Sequence, residues 1–206
     1  MSNIPLRESA LALLHEYTKS DSLRRHALGV EQAMRKMAEK YGGDPDEWGL
    51  TGLMHDFDYE MYPSMEDHPY RGNEILIENG YPETITRAIM GHATYTGVPR
   101  DTDMAKALFS VDELTGFIFA VTYVRPSKSI FEVKPKSVKK KLKQKSFAAS
   151  VIREDIYQSV DELGVDMTDH IQFVIDALKE KAELLGLKGD IAVSYTHLTL
   201  PTSDLV

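Results

Sequence analysis

The chain has 206 residues, a formal net charge of −8 at neutral pH and no cysteine. This length suits one ordinary domain with a substantial core, and we predict a single domain over residues 1–189. The lack of cysteine excludes thiolate metal ligands, disulfides and cysteine nucleophiles, and the acidic balance argues against bulk nucleic-acid binding. Because no apolar stretch approaches the ~20 residues that span a bilayer, we expect a cytoplasmic protein with no membrane partner and no stable nucleic-acid partner.

Apolar residues recur at helical spacing along almost the whole chain, which predicts an all-α fold. Turn residues agree with this pattern, since Gly42-Gly43 follows the second predicted helix and Pro45 opens the third. The predicted helices cover residues 4–18, 22–41, 45–55, 68–79, 83–93, 103–123, 136–163 with a break, and 168–186. We expect a compact bundle of about seven to nine helices.

Two stretches interrupt the helical pattern. Residues 57–67 have no helical period, and residues 94–103 carry Gly97 and Pro99. Both are predicted to be loops, and loops next to a site often control access to it.

Several predicted helices carry a histidine or an aspartate on their apolar face. His26 shares its face with Val30 and Ala33, and Asp112 lies one turn after Leu108. The other inward polar positions are His55, His68 and His92. An unpaired carboxylate in an apolar interior costs several kcal/mol, roughly, so a cation must compensate Asp56 and Asp112. Imidazole nitrogen and carboxylate oxygen together suit divalent metal ions, and the pattern therefore predicts a metal site.

The order of these residues resembles the HD-domain superfamily of metal-dependent phosphohydrolases. Its signature is a histidine, a His-Asp doublet and a distant aspartate, which correspond here to His26, His55-Asp56 and Asp112. Members with two metals carry two further histidines in between, and this chain has His68 and His92. The resemblance covers roughly residues 20–125 and implies a compact HD-domain helical bundle. It also implies that Asp56 bridges one ion held with His26, His55 and Asp112 to a second ion held by His68 and His92.

The resemblance implies a hydrolase that cleaves a phosphomonoester or phosphodiester, with a nucleotide-like small phosphorylated substrate. A metal-activated water would be the nucleophile, and Asp56 would serve catalysis as the bridging ligand. The cofactors would be divalent ions, two in number, chosen among Mn, Fe, Mg, Ni, Co and Zn. Ligand types alone leave two alternatives open, namely an HD-type mixed-valent diiron oxygenase and a metal-containing nucleotide-binding regulatory module. The oligomeric state is left open.

Two segments after the motif, residues 124–129 and 136–148, resemble those of an HDIG-type bacterial subgroup whose substrate is unknown. The doublet, however, continues as Phe-Asp-Tyr-Glu instead of the Ile-Gly-Lys found in the cyclic-dinucleotide branch. This departure argues against cyclic-dinucleotide cleavage.

Phosphate recognition needs cations, and Arg125 and Lys128 are the predicted substrate-binding residues. The lysine-rich run 134–145 is interpreted as a solvated helix face, with a lid over a phosphorylated substrate as the alternative. Asp58 and Glu60 are interpreted as solvated loop residues, with proton transfer as the alternative. The last residues, 190–206, differ in composition from the rest, and we interpret them as a tail derived from a vector or from sequence assembly.

Overall fold

Nine α helices make up the part of the chain that the computed structural model describes, residues 4–189, and this part has no strand. The helices are α1 (Arg7–Tyr17), α2 (Asp21–Tyr41), α3 (Pro45–Met54), α4 (Tyr70–Glu78), α5 (Glu83–His92), α6 (Asp103–Tyr123), α7 (Pro135–Leu142), α8 (Arg153–Leu163) and α9 (Met167–Lys179). The predicted all-α fold is confirmed. The proposed tail, residues 190–206, lies outside the described residues. Across residues 4–189, no helix combines the length and the apolar character needed to cross a bilayer.

The turn residues end and begin helices as the sequence predicts. Helix α2 ends at Gly42, whose φ of 76° lies in the left-handed region that glycine adopts without steric cost. Helix α3 begins at Pro45, and the carboxylate of Asp44 accepts hydrogen bonds from the backbone N–H groups of Asp46 and Glu47. These two features fix the end of α2 and the start of α3. They thereby set the direction in which α3 packs along α2.

The predicted helix over 136–163 is two helices, because residues 143–152 form turns between α7 and α8. The guanidinium of Arg153 holds this segment by donating to the carbonyl oxygens of Leu142, Gln144 and Val151, each at 3.1 Å. Those carbonyls would otherwise lack partners at the end of a helix. The last predicted helix is also shorter than expected, since α9 ends at Lys179 and turns continue to residue 186.

The two longest helices, α2 and α6, form the centre of the core. Helix α2 packs most closely on α3, and α6 packs on α2, α5 and α8. Gly52 of α3 permits this close approach, because a Cβ there would lie 2.8 Å from the carbonyl oxygen of Val30 on α2. The packing brings the middle of α6 and the ends of α3 and α5 against one side of α2, and these are the places where the predicted metal ligands lie.

We expect Leu108→Ala to lower the free energy of unfolding by about 2–5 kcal/mol, because Leu108 is fully buried in the core beneath the site. Leu184→Ala is the matched control, since the Leu184 side chain is exposed. Urea unfolding followed by far-UV circular dichroism measures both changes. A loss for Leu108→Ala no larger than for Leu184→Ala would contradict the packing described.

Candidate metal centre

The six predicted metal ligands come from five separate parts of the chain and meet at one place. His26 lies on α2 and Asp112 on α6, while the His55-Asp56 doublet follows the last residue of α3 directly. His68 lies just before α4, and His92 is the last residue of α5. The fold thus gathers side chains that are up to 86 residues apart.

His26, His55, Asp56 and Asp112 form the first group. The Nε2 atoms of His26 and His55 each lie 3.1 Å from Oδ1 of Asp112. The same Nε2 of His55 lies 3.3 Å from Oδ2 of Asp56. One donor atom from each of the four residues lies within 4.8 Å of all the others, so these residues could hold one metal ion.

Asp56, His68 and His92 form the second group. Oδ1 of Asp56 lies 3.2 Å from the Nε2 atom of His68 and 3.2 Å from that of His92. The donor atoms of these three residues also lie within 4.8 Å of one another. Asp56 therefore belongs to both groups and turns one carboxylate oxygen toward each, as a bridging ligand would.

Three of the histidines are held so that Nε2 faces the site. The Nδ1 of His55 lies 2.8 Å from the carbonyl oxygen of Gly52, and that of His92 is hydrogen-bonded to the carbonyl oxygen of Ile89. Because a carbonyl can only accept, each Nδ1 carries a proton, and each Nε2 is turned toward the carboxylates, where its lone pair could bind a metal ion once that nitrogen is deprotonated. This is the arrangement typical of histidines that bind metal.

Asp58 orients the third histidine, His68. The interpretation of Asp58 as a solvated loop residue is therefore wrong. Asp58 is buried, with 1% of its surface exposed. Its Oδ1 accepts from Nδ1 of His68 at 2.9 Å, and its Oδ2 accepts from the backbone N–H of Gly72 at 2.9 Å. A Cβ at position 72 would lie 2.5 Å from Cγ of Asp58, so glycine is needed there. Asp58 is therefore a positioning residue for a predicted metal ligand.

Glu60, the other acidic residue considered for proton transfer, lies at the surface. Its carboxylate accepts from the backbone N–H groups of Lys19 and Ser20 at 2.7 and 3.0 Å, just before α2. These hydrogen bonds lower the pKa of Glu60 below its usual value. The contacts support its interpretation as a solvated loop residue, and proton transfer receives no support from this placement.

We expect Asp58→Asn to weaken metal binding at the second group by roughly 10–100-fold, because the residue that orients a histidine ligand strongly affects metal affinity. An amide cannot accept from both His68 and Gly72, since one of its two ends is a donor. Metal titration of the purified variant measures the loss. Glu66→Gln, an exposed position in the same loop, is the control, and equal affinities in the two variants would remove Asp58 from this role.

The charges around the two groups favour a cation. Burial alone would raise the pKa of Asp56 and of Asp112, but the neighbouring His55 lowers both well below the usual value. Burial would lower the pKa of His68, but Asp56 and Asp58 raise it to about 9. The carboxylates thus stabilise positive charge on the imidazoles between them. The same field attracts a divalent ion, so the donor atoms and their electrostatics fit a metal site.

The comparison with known protein families agrees with this geometry. The family model of the HD domain matches residues 23–115. Residues 23–115 belong to the HD-domain superfamily. This is a superfamily of metal-dependent phosphohydrolases, and the matched region contains both groups of ligands, from His26 to Asp112. No curated protein and no solved structure matches the chain significantly. Membership of the HDIG-type subgroup stays a prediction.

A cleft of about 600 Å³ opens over the ligands of the HD domain. Both predicted loops contribute to it, the first through Tyr59 and the second through Thr94 and Tyr95. The Tyr95 hydroxyl donates to the carbonyl oxygen of His68 at 2.7 Å, which ties the second loop to the ligand segment. Five of the six predicted ligands line the cleft; they are His26, Asp56, His68, His92 and Asp112.

Two further carboxylates line the cleft and were missed by the sequence analysis. Burial and the charge of Asp112 raise the pKa of Glu113 to about 8. The pKa of Asp155 is also raised, by burial and by Asp112, although Arg100 opposes the shift. Glu113 directly follows a predicted ligand, which is the one signal that could have found it. Asp155 lies outside the matched HD region, with the neighbouring wall residues 150–152.

The predicted substrate-binding residues Arg125 and Lys128 do not line this cleft. Nη2 of Arg125 lies 3.4 Å from Oε2 of Glu132, and Arg125 faces a different groove together with Lys140. The placement therefore gives no support to a role of these two residues in substrate binding. None of the lysines between 134 and 145 lines the cleft either, and the exposed surface of α7 agrees with their interpretation as a solvated face.

Proposed function

We propose that this HD-domain protein is a metal-dependent phosphohydrolase that cleaves a phosphomonoester or phosphodiester. The observation that carries the proposal is the position of Asp56, whose two carboxylate oxygens turn toward two separate groups of histidines inside an HD domain. This arrangement fits two divalent ions held close together, with Mn, Fe, Mg, Ni, Co and Zn as the candidate metals.

The protein's own residues would prepare the site for this chemistry. Two bound divalent ions would lower the pKa of a water and offset charge on the phosphoryl oxygens. His55 and His92 are fixed by backbone carbonyls, and His68 is fixed by Asp58, so the site needs little rearrangement to receive the ions. The buried surroundings of His55 and His68 exclude bulk water from the ligand side and strengthen each electrostatic contact.

The cleft fits a small substrate of nucleotide size. Its volume of about 600 Å³ lies within the range of small-molecule sites. Tyr59 and Tyr95 are both partly exposed within it and offer aromatic surfaces on which a planar group could stack. We therefore propose a nucleotide-like phosphoester as the substrate.

Removal of metal tests the proposed reaction. We expect the manganese-loaded protein to release p-nitrophenol from p-nitrophenyl phosphate or its bis-ester, to lose this activity on dialysis against EDTA, and to regain it on addition of manganese. No turnover of either ester with any candidate metal would contradict the proposal. Oxygen uptake without ester cleavage would support the diiron oxygenase, and nucleotide binding without turnover would support the regulatory module.

A further inference from the structure

The cleft over the metal ligands has an unusual charge for a site that accepts phosphate. Four carboxylates line it, namely Asp56, Asp112, Glu113 and Asp155, and none of its lining residues within 4–189 is lysine or arginine. Two of these carboxylates belong to the ligand groups, whereas Glu113 and Asp155 belong to neither. Since phosphate sites ordinarily gather Arg and Lys, the charge of the bound phosphoryl group would have to be offset by metal alone.

Arg100 is a cation that acts on this cleft from outside, because its charge lowers the pKa of Asp155. It is already engaged, because its guanidinium donates two hydrogen bonds of 2.7 Å to the carboxylate of Glu162 and one of 2.8 Å to the carbonyl oxygen of Gly91. Its planar face also lies 3.7 Å from the ring centre of Phe109. These contacts hold Arg100 along the neighbouring groove, which it lines with Glu162, and Arg100 is not among the residues that line the metal cleft.

Glu113 follows Asp112 directly on α6, and Asp155 lies in the first turn of α8, which packs on α6. Both side chains line the cleft beside the predicted metal ligands. Bound ions would offset the charge of one phosphoryl group, whereas a second phosphate placed next to Glu113 and Asp155 would meet two carboxyl groups and no lysine or arginine of the lining. An ammonium group at the same place would find hydrogen-bond acceptors.

We infer that Glu113 and Asp155 form a subsite for the organic part of the substrate, which accepts an uncharged or cationic group and rejects a second phosphate. The inference rests on the proposed function and narrows its substrate class to esters with a single phosphoryl group. Glu113 lies inside the matched HD region, whereas Asp155 and residues 150–152 of the cleft lie outside it. Part of this selectivity would therefore come from the C-terminal part of the chain.

Three compounds that share one carbon chain test the subsite by charge alone. They are 3-aminopropylphosphonate, propylphosphonate and propane-1,3-diylbisphosphonate, which phosphoester hydrolysis does not cleave. Isothermal titration calorimetry on the manganese-loaded protein should give the tightest binding for the amine and the weakest for the bisphosphonate. In Glu113→Gln and in Asp155→Asn, the Kd of the bisphosphonate divided by the Kd of 3-aminopropylphosphonate should fall by roughly tenfold. Glu154→Gln, an exposed neighbour that does not line the cleft, should leave the ratio unchanged.

The corresponding phosphate esters, assayed for kcat/KM, provide the second readout. Equal Kd values for the three phosphonates in the wild type, or unchanged ratios in both variants, would overturn the subsite. A loss of kcat in Glu113→Gln that is equal for all three esters, with unchanged Kd ratios, would also overturn it and would assign Glu113 to proton transfer. If the Kd values follow the order expected from charge but no ester is hydrolysed, the subsite is supported and the proposed function is contradicted.

Discussion

Asp56→Ala is expected to abolish hydrolysis and to remove metal from both ligand groups. Asp56 supplies one oxygen to each group, so its loss leaves His55, His68 and His92 without the carboxylate that they share. Hydrolysis should fall by roughly a thousandfold or more, which corresponds to about 4 kcal/mol of lost transition-state stabilisation. Elemental mass spectrometry of the purified protein and ester hydrolysis measure the two effects.

Glu66→Ala is the matched control for this experiment, because Glu66 is an exposed acidic residue in the loop that follows the doublet. The far-UV circular dichroism of both variants should equal that of the wild type, since 25% of the Asp56 side chain is exposed to the cleft and its removal opens no cavity in the core. Wild-type metal content in Asp56→Ala would refute the shared role of Asp56.

His26→Ala and His92→Ala are expected to remove one ion each and to act on different ions. His26 belongs to the first group alone and His92 to the second group alone. We expect about two equivalents of metal in the wild type, about one in each single variant, and close to none in the double variant. Hydrolysis should fall by at least roughly a hundredfold in each single variant, because the reaction needs both ions.

His15→Ala serves as the control for the two histidine variants. His15 lies exposed on α1 and belongs to neither ligand group, so its removal should change neither the metal content nor the rate. One equivalent of metal in the wild type and in His92→Ala alike would exclude His92 from the site and reduce it to a mononuclear centre.

Sequence patterns predicted those parts of the protein that depend on regular spacing. Helical periodicity located α2 and α6 within one residue of their observed ends. The same periodicity predicted that His26 and Asp112 point inward. In the structure, Nε2 of His26 lies 3.1 Å from Oδ1 of Asp112. The match of residues 23–115 then supports the ordered motif.

Irregular and long-range contacts could not be predicted in this way. Asp58 can be buried because its carboxylate accepts hydrogen bonds from the backbone N–H of Gly72 and from Nδ1 of His68, both in another segment. The break between α7 and α8 depends on Arg153, whose guanidinium reaches back to Leu142. Asp155 lies in the first turn of α8, where acidic residues are common on solvated surfaces, and only the packing of α8 on α6 reveals that it faces the cleft.

The origin of the ligands in five distant segments has a consequence for the lifetime of the protein. An ion held by α2, by α6 and by the doublet that follows α3 would act as a cross-link that unfolding must break. A ligand that binds only the folded state adds about 1.4 kcal/mol of stability for each tenfold rise in its free concentration above Kd. A cell starved of the metal would therefore lose part of its stock of this protein to proteolysis. Under the proposed function, metal supply would then set both the rate of each molecule and the number of molecules that survive.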